Sequence, residues 1–304
     1  MRIKERKMDH AFKGIFAPLT TPFVGDEISI EKLKENIQKY NRFDLAGYVI
    51  LGSTGESVLL SDEESEKLVR AAREAASPGK KIIVGTARES TKLTLDFTNR
   101  VAAYKIDAAL VRTPSYFKAR MNQEALKKHY LTLAEKSKVP IIIYNIPQNT
   151  GITIDNDLVV DLSSHPNIAG IKDSSGNLAA LGEVIPHLDP QFSSIIGSAF
   201  VLFAGLELGA SGAIITLADA APALCVKLFK LFLEGKRDEA RELQFDLIPL
   251  NKAIIVTYGI PGLKYGLDLQ GYYGGPCRLP LLPLDEKGKK EMEAILKKLG
   301  LLKK

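Results

Sequence analysis

The chain has 304 residues, 45% of them hydrophobic and 25% charged, with a net charge of +5, the composition of an ordinary globular protein. Its basic excess crowds the ends, in MRIKERK (1–7) and KGKKEMEAILKKLGLLKK (287–304), and such runs read as solvated termini rather than as a nucleic-acid surface. No stretch approaches the ~20 apolar residues of a membrane span, and the start lacks the apolar core of a secretory signal, so a cytoplasmic protein with no membrane partner is expected.

The first apolar run, GIFAPLTTPF (14–23), reads as a strand, and SIEKLKENIQKYNRF (29–43) reads as a helix with Ile30, Leu33, Ile37 and Tyr40 on one face. A second strand, GYVILG (47–52), leads to a helix over 61–76, where Ser61 and Glu64 stand at capping-box spacing and acids fill the first turn. Strand 81–87, helix 90–104, strand 108–114 and helix 122–137 repeat the unit, and strands follow at 140–147, 168–174, 193–199 and 212–218. Several of these runs are apolar throughout, as in a parallel sheet covered on both faces. Eight such units without a linker predict a (β/α)8 TIM barrel. The barrel core is expected over 1–221, its last helix continuing from 222. Beyond Pro222 the strand signal stops, and helices are expected at 222–256, 260–270 and 286–300. They form a C-terminal helical extension (222–304) packed on the barrel as part of one structural unit.

Chemistry in such a barrel sits at the C-terminal ends of the strands. The polar residues there are Thr20 and Thr21, GSTGES (52–57), TPSY (113–116), Tyr144 and Asn145, KDSS (172–175), GSA (197–199) and Thr216. Most are hydroxyls, amides and glycines, and one is an amine. Cys225 and Cys277, with four histidines that lack HxxxH or HxH spacing, supply neither a disulfide framework nor a metal ligand set. No metal and no cofactor are expected.

Lys172 ends an apolar run and has two readings. It pairs with a carboxylate or extends to water, or it is a desolvated amine kept nucleophilic. Strand alternation puts Ile168, Gly170 and Lys172 on one face and Ala169, Ile171 and Asp173 on the other, which turns Lys172 away from its acidic neighbour. Tyr144 ends the preceding strand, close enough to shuttle protons to an amine. The two glycines of GSTGES leave two readings as well, a plain strand-to-helix turn or a seat of backbone N–H groups for a carboxylate. No GxxxxGK[ST] or GxGxxG stands where a nucleotide site would need it.

Together, GIFAPLTTPF, GSTGES, TPSYF (113–117), YNIPQNTG (144–151), GIKDSSGN (170–177) and GYYGGPCRLPL (271–281) resemble the dihydrodipicolinate synthase / N-acetylneuraminate lyase superfamily of pyruvate-using barrels. The likeness runs over nearly the whole chain. It implies Lys172 as the imine-forming lysine and Tyr144 as the proton relay. It also implies Ser53 and Thr54 as the carboxylate-binding turn, Ser53 joining the relay, and Tyr116 as the tyrosine that crosses a tight-dimer interface to complete a neighbour's relay. Gly197 and Ile215 match pocket-lining positions, the latter through its carbonyl. A homotetramer built of tight dimers is implied, with pyruvate and an aldehyde as small-molecule substrates.

Dihydrodipicolinate synthases carry arginine within YNxPxRTG, where this chain has Asn149, and an amide cannot replace a charged fork. ARESTKLT (87–94), TPSYFKARM (113–121), HPNIAGIKDS (165–174) and YGIPGLK (258–264) look instead like 4-hydroxy-2-oxoglutarate aldolase, although that aldolase commonly reads GSNGE where this chain reads GSTGE. Dihydrodipicolinate synthase and 2-keto-3-deoxy sugar acid aldolase are the enzymatic alternatives. A barrel that only senses 2-oxo acids is the non-enzymatic one.

Overall fold

The computed structural model describes residues 10–302, so the basic run 1–7 and the last two lysines lie outside the described residues. Eight strands build the centre: β1 (Gly14–Pro18), β2 (Gly47–Ile50), β3 (Lys81–Gly85), β4 (Ala108–Arg112), β5 (Ile141–Asn145), β6 (Ile168–Asp173), β7 (Ser193–Ile196) and β8 (Gly212–Ile214). They close into one parallel barrel in which each strand pairs with its neighbours in the chain and β8 returns to β1. This is the expected (β/α)8 architecture. The main connecting helices are α1 (Ile30–Tyr40), α2 (Asp62–Ala75), α3 (Thr91–Val101), α4 (Gln123–Lys136), α5 (Asn156–Ser163), α6 (Leu178–Val184), α7 (Leu202–Glu207) and α8 (Pro222–Leu233).

Local sequence explains where these elements begin. Ser29, Ser61, Ser90 and Asn122 each accept a backbone N–H from the first turn of the helix they open, satisfying donors that would otherwise have no partner. The capping box of α2 forms in both directions, Glu64 N–H to Ser61 Oγ at 3.2 Å and Ser61 N–H to Glu64 Oε2 at 2.9 Å.

The strands are apolar on both faces because each face meets a different core. Phe16, Val49, Ile83, Leu110, Ile142 and Ile195 point into the barrel, while Tyr48, Ile82, Val111, Ile143 and Ile171 join the outer layer packed under the helices.

Two expected elements differ. The run 14–23 is not one strand: β1 ends at Pro18, and Phe23–Val24 pairs antiparallel with Glu27–Ile28 in a separate small sheet. The expected helix 222–256 is broken. α8 stops at Leu233, Gly235 turns the chain at φ +76°, and Lys236 N–H returns to Leu231 O at 2.9 Å, a glycine-dependent helix stop. α9 (Arg237–Lys252) follows, then a widened π turn over Ala253–Thr257, α10 (Gly259–Leu269) and α11 (Glu286–Lys298).

The C-terminal helices are tied to the barrel by a buried ion pair. Lys264 on α10 lies 2.5 Å from the Glu56 carboxylate, both side chains 1% exposed. Lys264 also donates to Pro276 O at 2.7 Å, and Glu56 accepts the Arg278 N–H at 2.9 Å. Arg278 in turn grips Glu64 of the α2 cap at 2.6 Å. Lys264→Met strands the Glu56 carboxylate without its cation, an imbalance expected to cost about 3–5 kcal/mol and read as a lower urea midpoint. The double variant Lys264→Met/Glu56→Gln, with no buried charge left, recovers most of that loss. A double variant no more stable than the single one would show that Glu56 is not held by Lys264.

Candidate active site

The turn after β2 carries GSTGES. Leu51 and Glu56 both take left-handed backbone conformations, φ 61° and 55°, uncommon for residues with a Cβ. They bracket a tight loop closed by Gly55 N–H to Gly52 O and Glu56 N–H to Ser53 O, each 3.1 Å. Thr21 Oγ1 donates to Gly55 O at 2.6 Å, and Thr54 Oγ1 lies 2.9 Å from Thr216 Oγ1 at the end of β8. Ser53 is exposed at the top of the turn while Thr54 is buried beside it.

Lys172 is the penultimate residue of β6 and is 4% exposed. In register it stands directly opposite Tyr144 of β5, with its Nζ 4.1 Å from the centroid of the phenol ring. Asp173 faces the other way: its carboxylate accepts from Asn145 Nδ2 at 2.8 Å and Ser175 Oγ at 2.7 Å. The expected face sharing needs one correction. The β5–β6 register shifts between Ile141 and Ile142, so Ile168 packs in the outer layer and Ala169 against the inner one. Gly170 and Lys172 point inward, and Ile168 does not.

Burial alone raises a phenol's pKa. Here the positive charge of Lys172 and hydrogen bonding to Ser53, Lys172 and Ser174 outweigh it, and Tyr144 lies below the ordinary tyrosine value. Asp219 also feels Lys172, yet complete burial pushes its carboxyl well above the usual range, and neither carboxylate oxygen finds a hydrogen-bond partner. Burial thus works against a charged carboxylate at Asp219 beside Lys172.

Lys172, Tyr144, Ser53, Thr54, Asn149, Gly197 and Thr216 line one cavity of about 720 Å³. A Cβ on Gly197 would run into Ser174 Oγ and lie 2.9 Å from Asp173 O, so the close approach of β7 to β6 requires glycine. Ile215 packs in the outer layer, and only its neighbour Thr216 lines the cavity. Tyr116 lies outside the cavity, 79% exposed and edge-on to Phe117. Its N–H donates to Glu89 at 2.9 Å.

Sequence reasoning missed the far wall. Asn251, Ile254 and Ile260 come from the C-terminal helices. Pro249 inside α9 removes a helical donor, and a few residues on Tyr258 N–H reaches back five residues to Ala253 O at 2.9 Å. That widened turn brings Ile254, Ile255 and Val256 to the cavity, and such turns are frequent at functional sites. Asn251 is buried with neither end of its amide hydrogen-bonded. Arg112 was missed too. It ends β4 opposite Tyr144 and lines an adjoining cavity of about 470 Å³ that shares Ser53, Tyr144, Ile146, Asn149 and Ile260 with the first. The signal was the one that marks Lys172, a charge at the end of an apolar run.

The sequence profile of the dihydrodipicolinate synthetase family matches residues 11–299. The chain belongs to that family. A 4-hydroxy-tetrahydrodipicolinate synthase of Methanothrix thermoacetophila is 32% identical over 291 residues, 95% of this chain and 97% of that protein. The enzyme of the same name from Methanocaldococcus jannaschii is 32% identical over 292 residues, 96% of this chain and all of that one. The crystal structure of dihydrodipicolinate synthase from Aquifex aeolicus matches with a TM-score of 0.90 at 31% identity, covering 96% of this chain and 100% of that one. Membership makes the chain a carbon–carbon lyase of the class I, lysine Schiff-base type. No helix among the described residues is long and apolar enough to cross a membrane.

The opposing effects on Tyr144 give a test. Lys172→Met removes the cation and leaves burial in place, so the Tyr144 phenol is expected to titrate at higher pH than in the wild type. Ultraviolet phenolate titration, with Tyr144→Phe identifying the transition, reads the change. An unmoved transition would mean that the amine does not govern the phenol.

Proposed function

We propose that Lys172 forms the Schiff base and that the chain cleaves or makes the C3–C4 bond of pyruvate-derived 2-oxo acids, with 4-hydroxy-2-oxoglutarate, the adduct of pyruvate and glyoxylate, as its substrate. The observation that carries this reading is the inward-facing Lys172, buried, in register with Tyr144 and turned away from Asp173. An amine so placed has the proton shuttle that imine formation needs.

In this mechanism the 2-oxo acid carboxylate sits on the Ser53–Thr54 turn, and the Lys172 amine adds to C2 to form a carbinolamine. Tyr144, relaying through Ser53, protonates the departing hydroxyl, and water leaves as the iminium forms. Tyr144 then takes the proton of the C4 hydroxyl. The C3–C4 electron pair moves into the iminium, the aldehyde departs, and an enamine remains on Lys172. Protonation at C3 and addition of water release pyruvate and free the lysine. Tyr116 is proposed to act across the interface of a tight dimer, within a homotetramer. Its exposure and its place outside the cavity lining of its own chain support that role.

Asn149 at the cavity wall favours the aldolase over the synthase, because it lacks the charged fork of the synthase motif. The names of the relatives favour a second reading, in which the enamine condenses with aspartate semialdehyde.

Borohydride reduction with pyruvate is expected to leave the mass of a reduced pyruvate adduct on the peptide containing Lys172, and none in Lys172→Ala. Labelling elsewhere, or no labelling in active enzyme, would sink the assignment. A kcat/KM panel over 4-hydroxy-2-oxoglutarate, pyruvate with aspartate semialdehyde, and 2-keto-3-deoxygluconate is expected to rank the first substrate highest. A higher value for the second would establish the synthase reading instead.

A further inference from the structure

Among the described residues, the two joined cavities are lined by two cations, Lys172 and Arg112. Arg112 has no part in the mechanism above. It ends β4, its Cα opposite that of Tyr144, which is in turn opposite Lys172. Three adjacent strands therefore present a guanidinium, a phenol and an amine side by side at one end of the barrel.

The polar contacts of Arg112 all run through one corner of its guanidinium. Nη1 lies 2.9 Å from Glu89 Oε1, 3.0 Å from Thr113 O and 3.5 Å from Ser115 Oγ. The Nε–Nη2 edge donates to nothing among the described residues. Glu89 is itself heavily engaged, because its Oε2 accepts the N–H groups of Ser115 and Tyr116 at 2.8 and 2.9 Å. Its negative charge is shared among those donors, so it orients Arg112 without using up the fork. The side chain is 20% exposed, shielded enough for a charge-assisted contact to count.

The order of groups matches the order of atoms in a substrate. With C2 of the 2-oxo acid on Lys172 and the C4 oxygen at Tyr144, the next atoms of the chain lie toward β4. Two strand spacings, about 10 Å, separate the backbones of Lys172 and Arg112, a gap that two long side chains and a five-carbon diacid can span. We propose that Arg112 is the specificity-determining residue of the aldehyde half. It binds the aldehyde's carboxylate through its open edge, supplying from β4 the positive charge that Asn149 does not. The aldehyde partner is then an anion, such as an oxo-carboxylate, and not a neutral sugar aldehyde. The inference rests on the Schiff-base reading of Lys172.

The test is condensation of pyruvate with glyoxylate, with aspartate semialdehyde and with neutral glyceraldehyde, by wild type, Arg112→Gln and Arg112→Lys, beside borohydride trapping of pyruvate. Wild type is expected to favour at least one of the acids over glyceraldehyde. Arg112→Gln should lose roughly 10- to 100-fold in kcat/KM for that acid, the range of a charged hydrogen bond, chiefly through KM. Its rate with glyceraldehyde and its pyruvate trapping should change little. Arg112→Lys keeps the charge without the fork and should show a smaller loss confined to the acid, which preserves the test should the glutamine variant fold poorly. Equal losses for acid and neutral aldehydes would reduce Arg112 to a structural residue, and a wild type that prefers glyceraldehyde would overturn the proposal. In both cases intact pyruvate trapping would leave the Schiff-base reading standing. Wild type that traps no pyruvate would bring down both.

Discussion

The buried contact between Lys264 and Glu56 is the constraint on which the site depends. Glu56 holds a left-handed backbone conformation of the kind that costs about 1 kcal/mol or more in a residue with a Cβ. Its carboxylate is shielded from water, the side chain being 1% exposed. Such a residue persists only when its surroundings over-determine it, and here they do: Lys264 supplies the charge and Arg278 a backbone donor. Because Glu56 closes the loop that presents Ser53 and Thr54, α10 and the GYYGGPCR segment fix the geometry of the proposed carboxylate seat from behind. Aromatic faces complete the arrangement. Lys264 and Arg278 each sit 4.6 Å from the ring centroid of Phe23, a packing that favours cations over neutral groups.

Lys172 and Lys264 are both interior lysines, and the contrast between them is informative. Lys264 resolves its desolvation in the ordinary way, by pairing with a carboxylate. Lys172 has no such escape. Asp173 points to the opposite face and is occupied by Asn145 and Ser175, and burial favours the neutral form of Asp219. The nearest group that responds to its charge is the Tyr144 phenol, drawn below its ordinary value. A carboxylate ion-paired to Lys172 would occupy the amine that has to reach a substrate carbonyl. The missing partner is therefore what makes the lysine chemically useful.

Much of this was legible in the sequence because it is local or periodic. Apolar runs eight times over give the barrel, Ser61 and Glu64 give a cap, and the position of Lys172 at the end of a run marks the site. What was not legible depends on contacts distant in the chain. Lys264 looks like any lysine in an amphipathic helix, since its partner lies some two hundred residues earlier. The widened turn over Ala253–Thr257 leaves only Pro249 as a trace, and continuous helical periodicity concealed both it and the stop at Gly235. Arg112 was read as part of a strand because it interrupts that strand only at its last position.

The register shift in β6 shows how little separates a useful lysine from a useless one. Ile168 packs against the outer helices, and strict alternation from Ile168 would carry Lys172, four positions on, to that same outer face. The irregularity between Ile141 and Ile142 of the partner strand inserts one residue and reverses the parity, as a bulge does. Gly170 makes this possible, because a Cβ there would strike the Ser193 carbonyl of β7. Alternation counted from Lys172 backward gives the right face for Gly170 and the wrong one for Ile168, since the count crosses the extra residue. The apolar side chain at the start of β6 thus serves the helical layer while the amine at its end serves the cavity. A single strand meets both demands because one residue is out of step.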